Sequence, residues 1–227
     1  MSWAGKFIGS SIGQKIIMSL SGLFLIIFLL IHLIGNLQLL KSDGGIAFNS
    51  YGYFMTHNPL IKIVSYTLYI TILIHAIQGT KLFFRNRSAK GTGYAVTTNT
   101  GQHWASRYMM HFGAIIFVFI LIHLYQFWLQ MKMGTLEMVT VAGMDHPIAD
   151  LYKPCYEVFG NIGFVLFYVI SMAILAFHLA HGFSSAFQSL GINHKKYTPL
   201  IKFIGLIYSI LVPIGFALIP IWMFLNR

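Results

Sequence analysis

Apolar residues in this chain come in long runs separated by short polar stretches, without the strict alternation that marks a strand. The first run begins near Ile16 and continues to about Leu40. Four more lie near Ile61 to Phe84, Tyr108 to Met131, Val158 to Phe187 and Leu200 to Leu225. Each holds about 20 or more mainly apolar residues, enough as a helix to cross ~30 Å of hydrocarbon. The pattern predicts an all-α integral membrane protein, a five-transmembrane-helix bundle forming a single transmembrane domain over residues 1–227. The first run is too long for the apolar core of a signal peptide, and no small-x-small pattern follows it, so it reads as a retained span. Connecting stretches such as Ser42-Asp43-Gly44-Gly45 and Ala89-Lys90-Gly91-Thr92-Gly93 are rich in turn formers. None is long enough for a second domain.

Composition strengthens the membrane reading. With 57% hydrophobic residues, 9% charged residues and a mean hydropathy of +0.73, the chain is too apolar for a soluble domain of its size. A net charge of +10 could point to nucleic acid, but the positions of the charges point to a lipid bilayer. If the N-terminus is cytoplasmic, the inner face collects Lys6, Lys15, Lys81, Arg85, Arg87, Lys90, Arg107, Lys195, Lys196 and Lys202, with no acid. The outer face then holds all five acids, Asp43, Glu137, Asp145, Asp150 and Glu157, with Lys41, Lys62, Lys132, Lys153 and Arg227. This distribution obeys the positive-inside rule and predicts a multi-pass protein of the cell's inner (cytoplasmic) membrane, its C-terminus on the outer side. The basic face reads either as topology alone or as a docking surface for a soluble partner. Cys155 is the single cysteine, so no intramolecular disulfide forms, and no Cys-x-x-Cys-His is present for covalent haem attachment.

Four of the ten histidines lie deep in apolar runs, one in each of the first four: His32, His75, His123 and His178. An imidazole at such a depth is costly unless it has a partner or a metal. An interhelical hydrogen bond is the plain reading for any one of them. Depth sorts the four into pairs. His32 follows Lys15, and His123 follows Arg107, by a distance that puts both about 25 Å from the inner boundary; His75 and His178 lie about 15 Å from it. Two pairs at two depths suit two six-coordinate haems stacked across a membrane, each bound by two imidazoles. The stretch Phe177-His178-Leu179-Ala180-His181-Gly182-Phe183 is the most telling, because Gly182 lies on the His178 face and leaves room for a flat group. His181 competes with His178 for the ligand role. Gly79 repeats the spacing after His75, and Gly35 lies on nearly the same face as His32. Span four is the longest of the five and the most open to tilt.

These residues carry a family resemblance. Ser21-Gly22-Leu23-Phe24-Leu25 through His32, Ile74-His75-Ala76, Ile122-His123-Leu124-Tyr125, and His178 through Gly182 to Gly191 resemble the single-chain di-haem cytochrome b subunit of succinate dehydrogenases and quinol:fumarate reductases (the cytochrome b558 family). The resemblance covers essentially the whole chain. It implies that His178, four before Gly182, is the fourth ligand, with His32 and His123 on the distal haem and His75 and His178 on the proximal one. It further implies an anchor that passes electrons between membrane quinone, either menaquinone or ubiquinone, and a peripheral dimer of a flavoprotein subunit and an iron–sulfur subunit. The chain has neither a cysteine cluster nor a dinucleotide fingerprint, so the dicarboxylate chemistry falls to those partners, docked on the basic face. Lys15, Lys81 and Arg85 are candidates to meet haem propionates. The region around His32, Asn36 and Gln38 is the candidate for quinone. Two alternatives compete: the cytochrome b subunit of another quinone-linked dehydrogenase, and a non-haem transporter whose buried histidines relay protons. The transporter reading would gain from an inverted repeat, and none is evident.

Overall fold

The computed structural model describes residues 2–89, 101–141 and 143–227, so Lys90 and the rest of its glycine-containing loop lie outside the described residues. In chain order the elements are α1 (Trp3–Gly9), α2 (Ser11–Asn36), α3 (Ile46–His57), α4 (Pro59–Ala89), α5 (Gly101–His123), α6 (Gln130–Met133), β1 (Met138–Val139), β2 (Ile148–Ala149), α7 (Tyr152–Val158), α8 (Ile162–Ser189) and α9 (Thr198–Leu225). A 3₁₀ turn, Leu37–Leu40, extends α2, and a π-helical segment, Leu124–Leu129, joins α5 to α6. The two strands pair antiparallel as a minimal hairpin.

Five helices are long and apolar enough to cross a membrane: Ser11–Leu40, Pro59–Ser88, Arg107–Met133, Ile162–Ser189 and Thr198–Leu225. Their outward faces carry exposed apolar side chains, among them Ile27 and Ile31 on α2, Ile63, Ile70 and Ile77 on α4, and Ile170 on α8. Exposure on this scale suits a lipid environment and not water. The protein is a multi-pass, all-α membrane bundle.

Helix boundaries depart from the hydropathy pattern where capping chemistry intervenes. Span one starts at Ser11, before Ile16, because the Ser10 side chain accepts a hydrogen bond from the Gly13 N–H at 3.0 Å and separates α1 from α2. Span four starts at Ile162 and not at Val158. There the Asn161 side chain accepts from the Gly163 N–H at 2.8 Å, and the residues before it form the separate helix α7. Span four is also not the longest: α8 has 28 residues, as α9 does, while α4 has 31. Its far end is closed by Gly191 at φ +77, where the Ile192 N–H donates to the Phe187 carbonyl at 3.0 Å.

One end of the bundle is covered by α3, the hairpin and α7. Buried Asn49 ties this cap together: its Nδ2 donates to Asp150 Oδ1 at 2.9 Å, and its Oδ1 accepts from the Leu151 and Tyr152 N–H groups at 2.9 and 3.0 Å. Asp150 also accepts from the Lys153 N–H at 3.1 Å at the start of α7, while Asp43 accepts from Gly45 and Ala47 at the start of α3. Glu137 pairs with Lys153. All five acids are thus at this end, with Asp145 in the connection between the two strands and Glu157 within α7. The Arg227 guanidinium lies over the Tyr156 ring, 4.4 Å from its centroid, so the C-terminus is at the capped end. At the other end Arg85 Nη1 donates to Gln14 Oε1 at 3.1 Å, joining the end of α4 to the start of α2. We refer to this as the basic end.

Cys155 is buried in the cap, and that burial, helped by the Asp150 carboxylate, pushes its thiol up to about 12. Because only the thiolate attacks electrophiles, reactivity should rise with pH towards that value and be negligible near neutrality. Maleimide labelling at pH 7 is therefore expected to leave the folded protein unmodified and to proceed once denaturant opens the cap; rapid labelling of the folded protein at pH 7 would contradict the packing described.

Candidate functional site

The α8 helix packs against α2, α5 and α9, whereas α4 packs against α2, α3 and α5. Between α2, α4, α5 and α8 lies a cavity of about 3000 Å³ that runs through much of the bundle and is lined by all four deep histidines. Ordinary ligand pockets measure ~300–1,000 Å³, so this one has room for more than a single large group.

The histidines meet across the cavity in two pairs. His32 of α2 and His123 of α5 have ring centroids 5.9 Å apart, and His75 of α4 and His178 of α8 have centroids 6.2 Å apart. Two imidazoles bound end-on to one metal at ~2.0–2.1 Å each would hold their ring centres at about this separation. Three helices independently measure the distance between the pairs. Ser21 touches His75, and His32 lies eleven residues further along α2; the carbon added at Gly113 would be 3.9 Å from His178, and His123 lies ten residues further along α5; Tyr168 faces His123, and His178 lies ten residues further along α8. At ~1.5 Å per residue the levels are about 15–16 Å apart. Depths counted in the sequence from Lys15 and Arg107 for one pair, and from Arg85 and Gln188 for the other, implied a gap of about 10 Å at this rise, which is an underestimate.

Second partners orient individual rings. The Ser21 hydroxyl donates to the Met18 carbonyl at 3.0 Å, so at 3.1 Å from His75 it accepts the Nδ1 proton and leaves Nε2 as the lone-pair nitrogen. The Tyr168 hydroxyl acts similarly: it donates to Gln126 Oε1 at 2.6 Å and lies 3.4 Å from His123 Nδ1, whose proton it accepts. Gln126 belongs to the π-helical turn that begins immediately after His123. His123 stacks on Phe119, and His32 stacks on Phe28, each four residues earlier on its own helix. Asn36 Nδ2 donates to the His32 carbonyl at 2.7 Å and stands at 3.3 and 3.5 Å from the two ring nitrogens, so it does not select a tautomer. His178 Nδ1 is buried without a partner among the described residues.

Each pair offers two nitrogens. Among the described residues no group of three or more His, Cys, Asp or Glu side chains is placed to hold a metal ion. Two nitrogens do not satisfy a bare ion, which takes four or more ligands, but they suit an iron that brings four equatorial donors of its own. Gly182 gives a second test of fit. It lines the cavity, and among the described residues a carbon added there would meet nothing within 4 Å, so no packing contact with a described neighbour requires glycine at that position. Gly35 differs, since its added carbon would run into the Tyr51 ring of α3; its place near His32 is explained by helix packing. Gly79 faces the Met18 methyl at 3.4 Å. The residues therefore fit a flat, metal-centred group at each level.

Other sequence candidates divide. Lys15 and Lys81 line the cavity at the basic end, as do Arg87 and Arg107, which the sequence analysis did not single out. Arg85 does not line it, because its guanidinium is turned to Gln14. Asn36 lines the cavity and Gln38 does not. His181 also lines the cavity, but it is His178 whose ring meets His75. Ser21, Tyr168 and Gln126 were missed as positioning groups. A serine in an apolar run was visible in the sequence, but nothing there gave the reach of Tyr168 from α8 or the π turn. No protein-family model, curated protein or solved structure matches the chain.

Proposed function

We propose that the chain is the di-haem cytochrome b anchor of a succinate:quinone oxidoreductase, passing electrons between an iron–sulfur subunit and membrane quinone. The observation that carries this reading is the pair of facing histidine couples at two levels of one membrane-spanning cavity. His32 and His123 bind one haem b, and His75 and His178 the other. Held by these two imidazole pairs, each haem would supply a one-electron carrier within the membrane.

The protein's own work is positional. Ser21 and Tyr168 hold the Nδ1 protons of His75 and His123, which keeps Nε2 available and raises its basicity. Phe28, Phe119, Phe127 and Phe216 surround the His32–His123 pair and exclude water from it. Lys15, Lys81, Arg87 and Arg107 offer positive charge to propionates at the basic end. That end faces the cytoplasm in this account, following the positive-inside distribution, and receives the iron–sulfur and flavoprotein subunits; the capped end faces outward. Dicarboxylate chemistry takes place on those partners, in a complex held in the cytoplasmic membrane.

Affinity purification of the tagged chain from its native membrane tests this reading. The expected result is recovery of a flavoprotein and an iron–sulfur protein, with a complex that catalyses electron transfer between succinate or fumarate and quinone. Recovery with a different dehydrogenase would reassign the partner while retaining the cytochrome; recovery of a haem-free chain without redox partners would contradict the proposal.

A further inference from the structure

The short helix α1 is two-faced. At about 100° per residue Trp3, Phe7 and Ile8 fall on one arc of about 140°, and Gly5, Lys6 and Gly9 occupy the remainder. The Trp3 and Phe7 rings, one turn apart, stack with centroids 5.9 Å apart. The helix packs on α2, yet Trp3 is 81% exposed and Ile8 52%, so the apolar stripe faces away from the bundle.

The junction with α2 fixes that direction. Ser10 is extended, at φ −71 and ψ 155, and both its N–H and its hydroxyl donate to the Phe7 carbonyl, at 3.0 and 2.7 Å. The same hydroxyl oxygen caps α2 by accepting from the Gly13 N–H. Buried Gly13 lets the chain fold this closely, because a carbon added there would run into the Phe7 carbonyl. Bringing residue 7 beside residue 13 bends α1 off the axis of span one at a tight elbow. Gln14, next along α2, receives the Arg85 hydrogen bond, so the elbow lies at the basic end of the bundle.

Two further observations identify what the stripe meets. Ile12, 69% exposed, and Leu20, 55% exposed, carry the apolar surface from the elbow onto the outward face of span one, which lies in lipid. All five acids are at the capped end, so the charge at this boundary is basic, with Lys6 on α1 away from the stripe and Lys15 and Arg85 near by. Aromatic rings backed by a lysine, at the level where a transmembrane helix begins, suit the boundary between acyl chains and anionic headgroups.

We infer that α1 is a membrane-surface anchor, lying in the headgroup plane of the leaflet at the basic end with Trp3, Phe7 and Ile8 among the upper acyl chains and Lys6 beside anionic headgroups. The inference needs only the membrane-spanning bundle and is independent of the haem assignment.

The test attaches a nitroxide to Ile8→Cys or Gly5→Cys in the full chain, reconstituted in phosphatidylcholine–phosphatidylglycerol vesicles. Its collisions with oxygen, which concentrates among acyl chains, are compared with those of a water-soluble nickel chelate. Buried Cys155 stays unlabelled at pH 7, and the wild type labelled in parallel checks this. Oxygen should reach the Ile8→Cys label severalfold more readily than nickel does, and the Gly5→Cys label should show the reverse. Adding Lys6→Gln to Ile8→Cys should increase nickel access in the mixed vesicles and change nothing in phosphatidylcholine alone. Equal nickel access at both positions would put α1 in water and overturn the inference. So would an Ile8→Cys label that neither reagent reaches, since protein and not lipid would then cover the stripe. An unchanged reading with Lys6→Gln in the mixed vesicles would overturn the contact with anionic headgroups.

Discussion

His178→Ala is expected to leave the purified protein with one haem per chain, whereas His181→Ala keeps two. The two histidines share a helix and a cavity, but only the His178 ring faces His75, with centroids 6.2 Å apart. Removing it leaves the iron at that level with a single protein ligand, and a b-type haem has no covalent tether to compensate. The other pair lies about 15–16 Å away along the helices and shares no ligand with it, so its haem should remain. His75→Ala should give the same single-haem protein, and His32→Ala or His123→Ala should give the complementary one. A pyridine haemochrome count gives the stoichiometry, and midpoint potentials tell which haem remains. Retention of two haems in His178→Ala with loss in His181→Ala would reassign the ligand.

Gly182→Leu is expected to abolish binding of the haem at the His75–His178 level without unfolding the helix bundle. The first carbon added meets no described side chain or neighbouring-helix atom within 4 Å, so the new side chain starts in open space, and leucine is a better helix former than glycine by about 1 kcal/mol. The side chain instead fills the space beside His178 that a flat group needs. Thermal unfolding of the haem-free protein in detergent should show Gly182→Leu at least as stable as the wild type, while reconstitution yields about half the wild-type haem. Full haem loading of Gly182→Leu would show that the group does not pass over this position.

Hydropathy made the five spans legible because each buries or exposes apolar surface over its whole length, and that signal survives without knowledge of neighbours. The four ligand candidates were legible for the same reason, since an imidazole in such a run stands out. Their pairing could be argued from depth, but the gap between levels was underestimated, because a lysine or arginine can snorkel several ångströms from its Cα to reach the interface. Short elements were illegible where local chemistry overrides hydropathy. The Ser10 and Asn161 caps cut helices inside apolar or mixed stretches, and the α3–α7 cap depends on Asn49 meeting residues a hundred positions away. Tyr168 and Gln126 act through contacts between helices, for which periodicity within one helix carries no information.

The most direct measurement is a dithionite-reduced minus oxidised absorption spectrum of the purified protein together with a pyridine haemochrome count. Two low-spin b haems per polypeptide are the predicted result, one for each histidine pair. Absence of haem from protein produced with ample haem supply would contradict the account and leave both pairs as hydrogen-bonding groups in a proton-relaying membrane protein.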